Sequence, residues 1–174
     1  VICVVSGGVL GIVYNATKDP IAAAEKAKKT EAIKNVLPEF KELKDINVKS
    51  AMEDVELPFH LAYDNDGNFI GAAVETFTNK GFSGNISLMV GILKDGTVNN
   101  ISVLQHAETP GLGSKMSEPS FKDQFNNKHA DSFNFNVKKD GGNVDAITAA
   151  TISSRAFCDA VNRAISTFEN NKGG

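Results

Sequence analysis

Tryptophan is absent from this 174-residue chain, and tyrosine and cysteine occur twice each, so eleven phenylalanines do most of the aromatic packing. The two cysteines exclude more than they offer. Cys3 lies in an apolar run and Cys158 on the apolar side of a predicted helix, and neither has a histidine or a second cysteine close in sequence. A metal site, a thiol catalyst and a disulfide therefore have no support, and both residues are expected as small buried hydrophobes. An excess of positive charge is also lacking: 18 Lys+Arg against 21 Asp+Glu give a formal net charge of −3. No long basic run stands beside aromatics, so nucleic-acid binding is unsupported. No nucleophile–base pair is evident, and no catalytic residue is assigned. What remains, 41% hydrophobic and 22% charged, suits one globular domain with something attached.

The attachment is at the N-terminus. VICVVSGGVLGIVY, residues 1–14, carries no charge. As a helix it reaches only about 21 Å, at about 1.5 Å per residue, against roughly 30 Å of hydrocarbon. The run opens on Val1 and reads as cut in its middle, so residues 1–17 are expected to be a transmembrane anchor truncated at its start. Gly7 and Gly11 would let another helix approach closely. A cleaved signal peptide is the alternative, but no cleavage-like A-x-A precedes the next element. Lys18, Lys26, Lys28, Lys29 and Lys34 follow the run. Taken alone they argue for a cytoplasmic C-terminal side.

Asp19-Pro20 has the form of a helix start, and Ile21 to Leu37 is rich in helix formers and stops at Pro38. Residues 18–40 are read as a connecting helix whose docking end is Ile33, Val36, Leu37 and Phe40. The rest, 41–174, is read as the functional domain. From Phe59 the rhythm changes to strands: FHLAY, FIGAAVETF after the turn Asn65–Gly67, ISLMVGIL, and VNNISVLQH after Lys94–Gly96. Phe121 and Phe125 predict a short helix, and Phe133, Phe135 and Val137 a half-buried strand. Phe157, Val161, Ile165 and Phe168 mark a long amphipathic helix. The fold class expected is α+β, a mainly antiparallel sheet with flanking helices.

Two stretches invite a ligand. VDAITAATISSRAF, residues 144–157, places the hydroxyls of Thr148, Thr151, Ser153 and Ser154 at the start of that last helix. Unpaired backbone N–H groups and the macrodipole favour an anion such as phosphate there, with Ala149 and Ala150 leaving the approach open. Simple N-capping is the competing explanation. The second stretch, HAETPGLGSK, residues 106–115, follows a strand and sets Leu112 between Gly111 and Gly113, beside Glu108 and Thr109. An apolar side chain on so thinly covered a turn suits contact with a flat ring; an ordinary turn with Leu112 folded inward is the alternative. His106 is read as a strand-end hydrogen bonder.

ETPGLG followed by Asp-x-x-Thr-x-Ala-Thr at a helix start resembles the FMN-binding family of RnfG and NqrC, subunits of the ion-translocating Rnf complex and of the sodium-pumping NADH:quinone oxidoreductase. The resemblance runs from the anchor through GFSGNISLMVGI to the last helix, and the compact size is closer to RnfG. It implies FMN held covalently, as a phosphoester, on Thr151. It further implies Thr148 as the motif's other hydroxyl, with Ala150 and Ser154 beside it. Asp145 would be the acidic residue that the flavin transferase requires during maturation. Glu108, Thr109, Gly111, Leu112 and Gly113 would pack against the isoalloxazine, and Lys138, in preference to Lys139, would bring positive charge. The family usually has glycine where this chain has Ala149. If that position needs positive φ, alanine strains the turn; if it is helical, alanine is harmless.

The function implied is a membrane-anchored electron carrier, a subunit of a translocase that couples electron transfer between ferredoxin and NAD to ion translocation. Its partners would be the other membrane subunits of an Rnf-type complex. The location implied is the bacterial inner membrane, crossed once, with the FMN domain on the periplasmic or extracellular side. The alternatives are a free-standing extracellular FMN-dependent reductase and a non-redox scaffold subunit.

Overall fold

The computed structural model describes residues 23–171. The predicted anchor, Cys3 and the Asp19-Pro20 helix start lie outside them. Among the described residues no helix is long and apolar enough to cross a membrane.

Strong β-formers and Asp-Gly turns produce a five-stranded antiparallel meander, β1 (Glu42–Lys49), β2 (Glu56–Tyr63), β3 (Phe69–Gly81), β4 (Gly84–Leu93) and β5 (Val98–His106), whose strands lie side by side in chain order. Gly67 (φ +78°) and Gly96 (φ +100°) take the left-handed positions that close two of the hairpins. β3 and β4 read as nearly continuous apolar runs because both of their faces are covered.

One face receives α3 (Thr151–Asn170), which packs on β3 and β4. Its apolar stripe, Phe157, Val161, Ile165 and Phe168, is buried with Val74, Leu88 and Val90 beneath it. Each such side chain contributes about 1.5–3 kcal/mol by leaving water. Two polar contacts fix its register: Thr76 Oγ1 donates to the Ala160 carbonyl (2.9 Å), and Thr78 Oγ1 to Asp159 Oδ2 (2.8 Å). Arg163 is buried, its guanidinium 4.9 Å from the Phe77 ring centre and 2.6 Å from Glu53 Oε1. The opposite face receives Ala32, Ile33, Val36 and Leu37, the C-terminal part of a helix over residues 23–36 (α1), against Ala62, Ala73, Met89 and Leu104. Gly91 permits this approach, since a Cβ there would overlap the Val36 carbonyl. The helix-end carbonyls of Asn35 and Val36 accept from Asn100 Nδ2 (3.0 Å) and Asn99 Nδ2 (2.8 Å).

The α+β expectation holds, and so do the four predicted strands and the last helix. One strand is added and one local reading is corrected. β1 is not foreseen, because ELKDINVK is an edge strand with Val48 as its one buried residue and carries almost no alternation. Residues 133–137 form no strand, although Phe135 and Val137 are buried and Phe133 is half-buried as the pattern requires. Their backbone is used locally instead: Asn134 N–H donates to Asn143 Oδ1 (2.8 Å), and Val137 makes a single bridge to Val144 before a 3₁₀ turn at Lys138–Asp140. The predicted Phe121/Phe125 helix is one turn, α2 (Pro119–Lys122), continued as 3₁₀ structure to Phe125.

Candidate functional site

β5 ends at His106, whose Nδ1 accepts the Glu108 N–H (3.2 Å) and turns the chain off the sheet. The glycine-rich loop then folds on itself: the N–H groups of Leu112 and Ser114 reach the Thr109 carbonyl (3.2 and 3.3 Å), and Ser114 Oγ accepts from Gly111 N–H (2.9 Å). Gly111 at φ +75° makes the turn that a side chain would resist, leaving Leu112 42% exposed at its tip. Gly113 is required for a different reason. A Cβ there would stand 2.5 Å from Ser153 Oγ and 2.6 Å from Glu108 Oε2, so glycine alone lets this loop lie against the start of α3.

At that start, Ala149 has φ +62°, one of two non-glycine residues with positive φ among those described. The strained alternative is therefore the one realised. Ala150 occupies the N-cap position, and no side chain caps the helix. Capping does not explain the hydroxyl cluster. The first amides of α3 keep their hydrogen-bonding capacity, and Thr151, the first helical residue, is only half-buried.

Thr151 lies in a cleft of about 320 Å³ between this helix start, the glycine-rich loop and the β3–β4 turn. The cleft unites Glu108, Thr109, Leu112, Gly113, Ala150 and Thr151 from the predicted set. It also takes in Ala149, Ser153, Ile152 and Phe82. Its lining combines two chemistries. Thr151 presents a hydroxyl beside uncapped backbone N–H groups, and Phe82, Leu112 and Ile152 are three of the large apolar side chains that meet solvent. Such a cleft suits a ligand with an anionic group at one end and a flat apolar ring at the other.

Five predicted residues stand outside the lining, Gly111 among them at the turn of the loop. Thr148 is exposed on the approach to the turn. Ser154 is fully buried, accepting from Ile147 N–H and donating to the Ala150 carbonyl (both 2.9 Å), so it latches the turn from below and has no hydroxyl to offer the cleft. Lys138 pairs with Asp145 at 2.8 Å, both side chains largely in solvent. Asp145 is held by Gln124, whose side chain accepts its N–H (2.8 Å) and donates to its carbonyl (3.2 Å).

Phe82 and Ile152 were not anticipated. Phe82 carries a readable signal, an apolar residue among Gly81, Ser83 and Gly84, which is the same arrangement that marked Leu112. Ile152 carries none, since one apolar residue on a helix is ordinarily read as facing the core.

A second cleft, of about 390 Å³, lies across Ile152 and reaches Met52, Val137 and Cys158. Its charged rim is already paired within itself: Arg155 grips Asp140 through two bonds of 2.7 Å, and Lys80 Nζ meets Asp159 at 2.6 Å. The guanidinium keeps Asp140 below the ordinary carboxylate range. The smaller cleft, with its available hydroxyl and amides, is the better candidate despite its size.

Residues 81–166 match the model of a family described as the FMN-binding domain. The chain is 35% identical over 170 residues to the G subunit of the ion-translocating oxidoreductase complex of Methanosarcina acetivorans, covering 95% of this chain and 88% of that one. It is 36% identical over 167 residues to the protein of the same description from Aliivibrio fischeri strain ES114, covering 88% and 79%. In overall fold it is similar to the C subunit of the Na(+)-translocating NADH-quinone reductase of Parabacteroides distasonis (TM-score 0.58, 21% identity, 78% and 79% of the two chains). NqrC of Shewanella oneidensis has a TM-score of 0.54 at 20% identity, covering 82% and 71%.

Proposed function

This chain belongs to the family of the ion-translocating oxidoreductase complex protein RnfG, and from that premise we propose that it carries electrons through an FMN esterified to Thr151. The observation that carries the reading is the placement of Thr151. It is the first residue of a helix without a side-chain cap, half-exposed, in the cleft that the ETPGLG loop closes from the other side. The uncapped amides and the helix dipole stabilise a phosphate there without a basic side chain. Phe82, Leu112 and Ile152 offer apolar surface to a ring system, and Thr109 lines the same wall. When bound, FMN supplies the electron-accepting and electron-donating chemistry; the chain positions it and sets its surroundings.

Asp145, exposed and held by Gln124 on the approach to Thr151, is open to an attaching enzyme, which fits a role in maturation by a flavin transferase. A covalent link keeps the carrier filled on a membrane face where a dissociated cofactor would be lost. In this reading residues 1–17 anchor the chain, and the FMN domain works on the periplasmic or extracellular side beside the other members of an Rnf-type complex. That complex couples electron transfer between ferredoxin and NAD to ion translocation.

The test is denaturing electrophoresis of the full chain matured in cells that have the attaching enzyme, with intact-mass measurement and peptide mapping. Wild-type protein shows a fluorescent band and one added flavin nucleotide on the Thr151 peptide, and Thr151→Val shows neither. A fluorescent Thr151→Val band refutes the assignment.

A further inference from the structure

Glu108 is the one carboxylate in the wall of this cleft, and it is only 4% exposed. Both of its oxygens accept: Oε1 takes the Ser83 N–H at 2.8 Å, and Oε2 takes the Ser153 hydroxyl. These donors come from two separate elements, the β3–β4 turn that carries Phe82 and the helix start that carries Thr151. Glu108 itself belongs to the loop that carries Leu112. Small residues make room for it, since a Cβ at Gly81 would stand 2.8 Å from Oε1 and one at Gly113 would stand 2.6 Å from Oε2. Accepting from donors on both oxygens is the pattern of an ionised carboxylate. Among the described residues it makes no ion pair.

A buried charge without a counter-charge is costly, and a neutral amide of the same shape would still accept a hydrogen bond. The retained charge therefore needs a use. We infer that Glu108 is a positioning residue with an electrostatic role: it ties the three cofactor-bearing loops to one another, and its uncompensated negative charge holds the reduction potential of the bound flavin down. It need not touch the ring for either effect. A charge fixed in a water-poor wall acts through space, and adding electrons beside it is disfavoured. This inference rests on the flavin reading above.

The experiment compares wild type, Glu108→Gln and Glu108→Ala as full chains, with three readouts: exchange of the Ser83 amide in flavin-free protein, covalent flavin content, and midpoint potential by redox titration. In Glu108→Ala, Ser83 exchanges about tenfold faster, the size of one lost hydrogen bond, and flavin content falls several-fold. Glu108→Gln restores the content but titrates at a more positive potential than wild type. The electrostatic role is overturned by a Glu108→Gln flavin with wild-type potential. The positioning role is overturned by Glu108→Ala protein with wild-type Ser83 exchange and full flavin content. Should Glu108→Ala fail to fold, Glu108→Gln decides the electrostatic role through its potential, and Ser153→Ala, which removes the other bond, decides the positioning role, overturned by wild-type flavin content. A wild-type chain without covalent flavin counts against the flavin reading, and the amide exchange still judges the tie between the loops.

Discussion

Ala149→Gly should make this protein more stable, although glycine is ordinarily a destabilising replacement for alanine. Ala149 sits at φ +62°, where an L side chain crowds its own carbonyl at a cost of about 1–2 kcal/mol. Glycine removes that cost and adds back about 0.5–1 kcal/mol of unfolded-state freedom. The methyl is exposed, so no buried apolar contact is lost. The net is about 1 kcal/mol in favour of glycine, or roughly 2–4 °C in Tm for a chain of this size. Calorimetry of the flavin-free protein measures it, with urea unfolding as a check that the m-value is unchanged. Ala107→Gly is the control: it is exposed and does not have positive φ, and it should lose about 0.4–1 kcal/mol. An Ala149→Gly protein that melts lower than wild type, as the control does, would show that the turn holds no strain and sink the reasoning.

Ser154→Ala leaves the Ile147 amide without its acceptor in a fully buried place, and it should cost about 1–3 kcal/mol in urea unfolding while Thr151 still takes the flavin. Burial pushes the Cys158 thiol from 9.0 up to about 12. The unfolded chain therefore loses this proton first, and stability is full below pH about 9 and falls as the pH rises toward 12, which Tm measured across that window should show, with Cys158→Ala flattening the slope. At neutral pH, iodoacetamide should label the Cys158 peptide only after denaturation.

How much of this was legible beforehand follows from where the signals were strong. β2 to β5 and α3 announce themselves because burial on one or both faces imposes a period on their residues. β1 could not be seen, because an edge strand facing water on most of its positions has no period to show. Two walls of the cleft were visible as motifs, ETPGLG and the hydroxyl run, since special turns demand special residues. What held them together was not. The Glu108 bridge to Ser83 and Ser153 spans 25 and 45 residues, and no local pattern encodes a contact at that separation. Ser154 was misleading for the opposite reason. Four hydroxyls close together look equivalent, and only the helix phase buries two of them, turning Ser153 to Glu108 and Ser154 under the turn while Thr148 and Thr151 stay accessible.

Ile152 lines both hollows and is about half in solvent at 49% exposure. Little of the fold's stability depends on it. The breadth of the chamber beside the helix is consequently an adjustable dimension: trimming that one aliphatic side chain would widen both hollows at once, while the sheet and the long helix keep their packing.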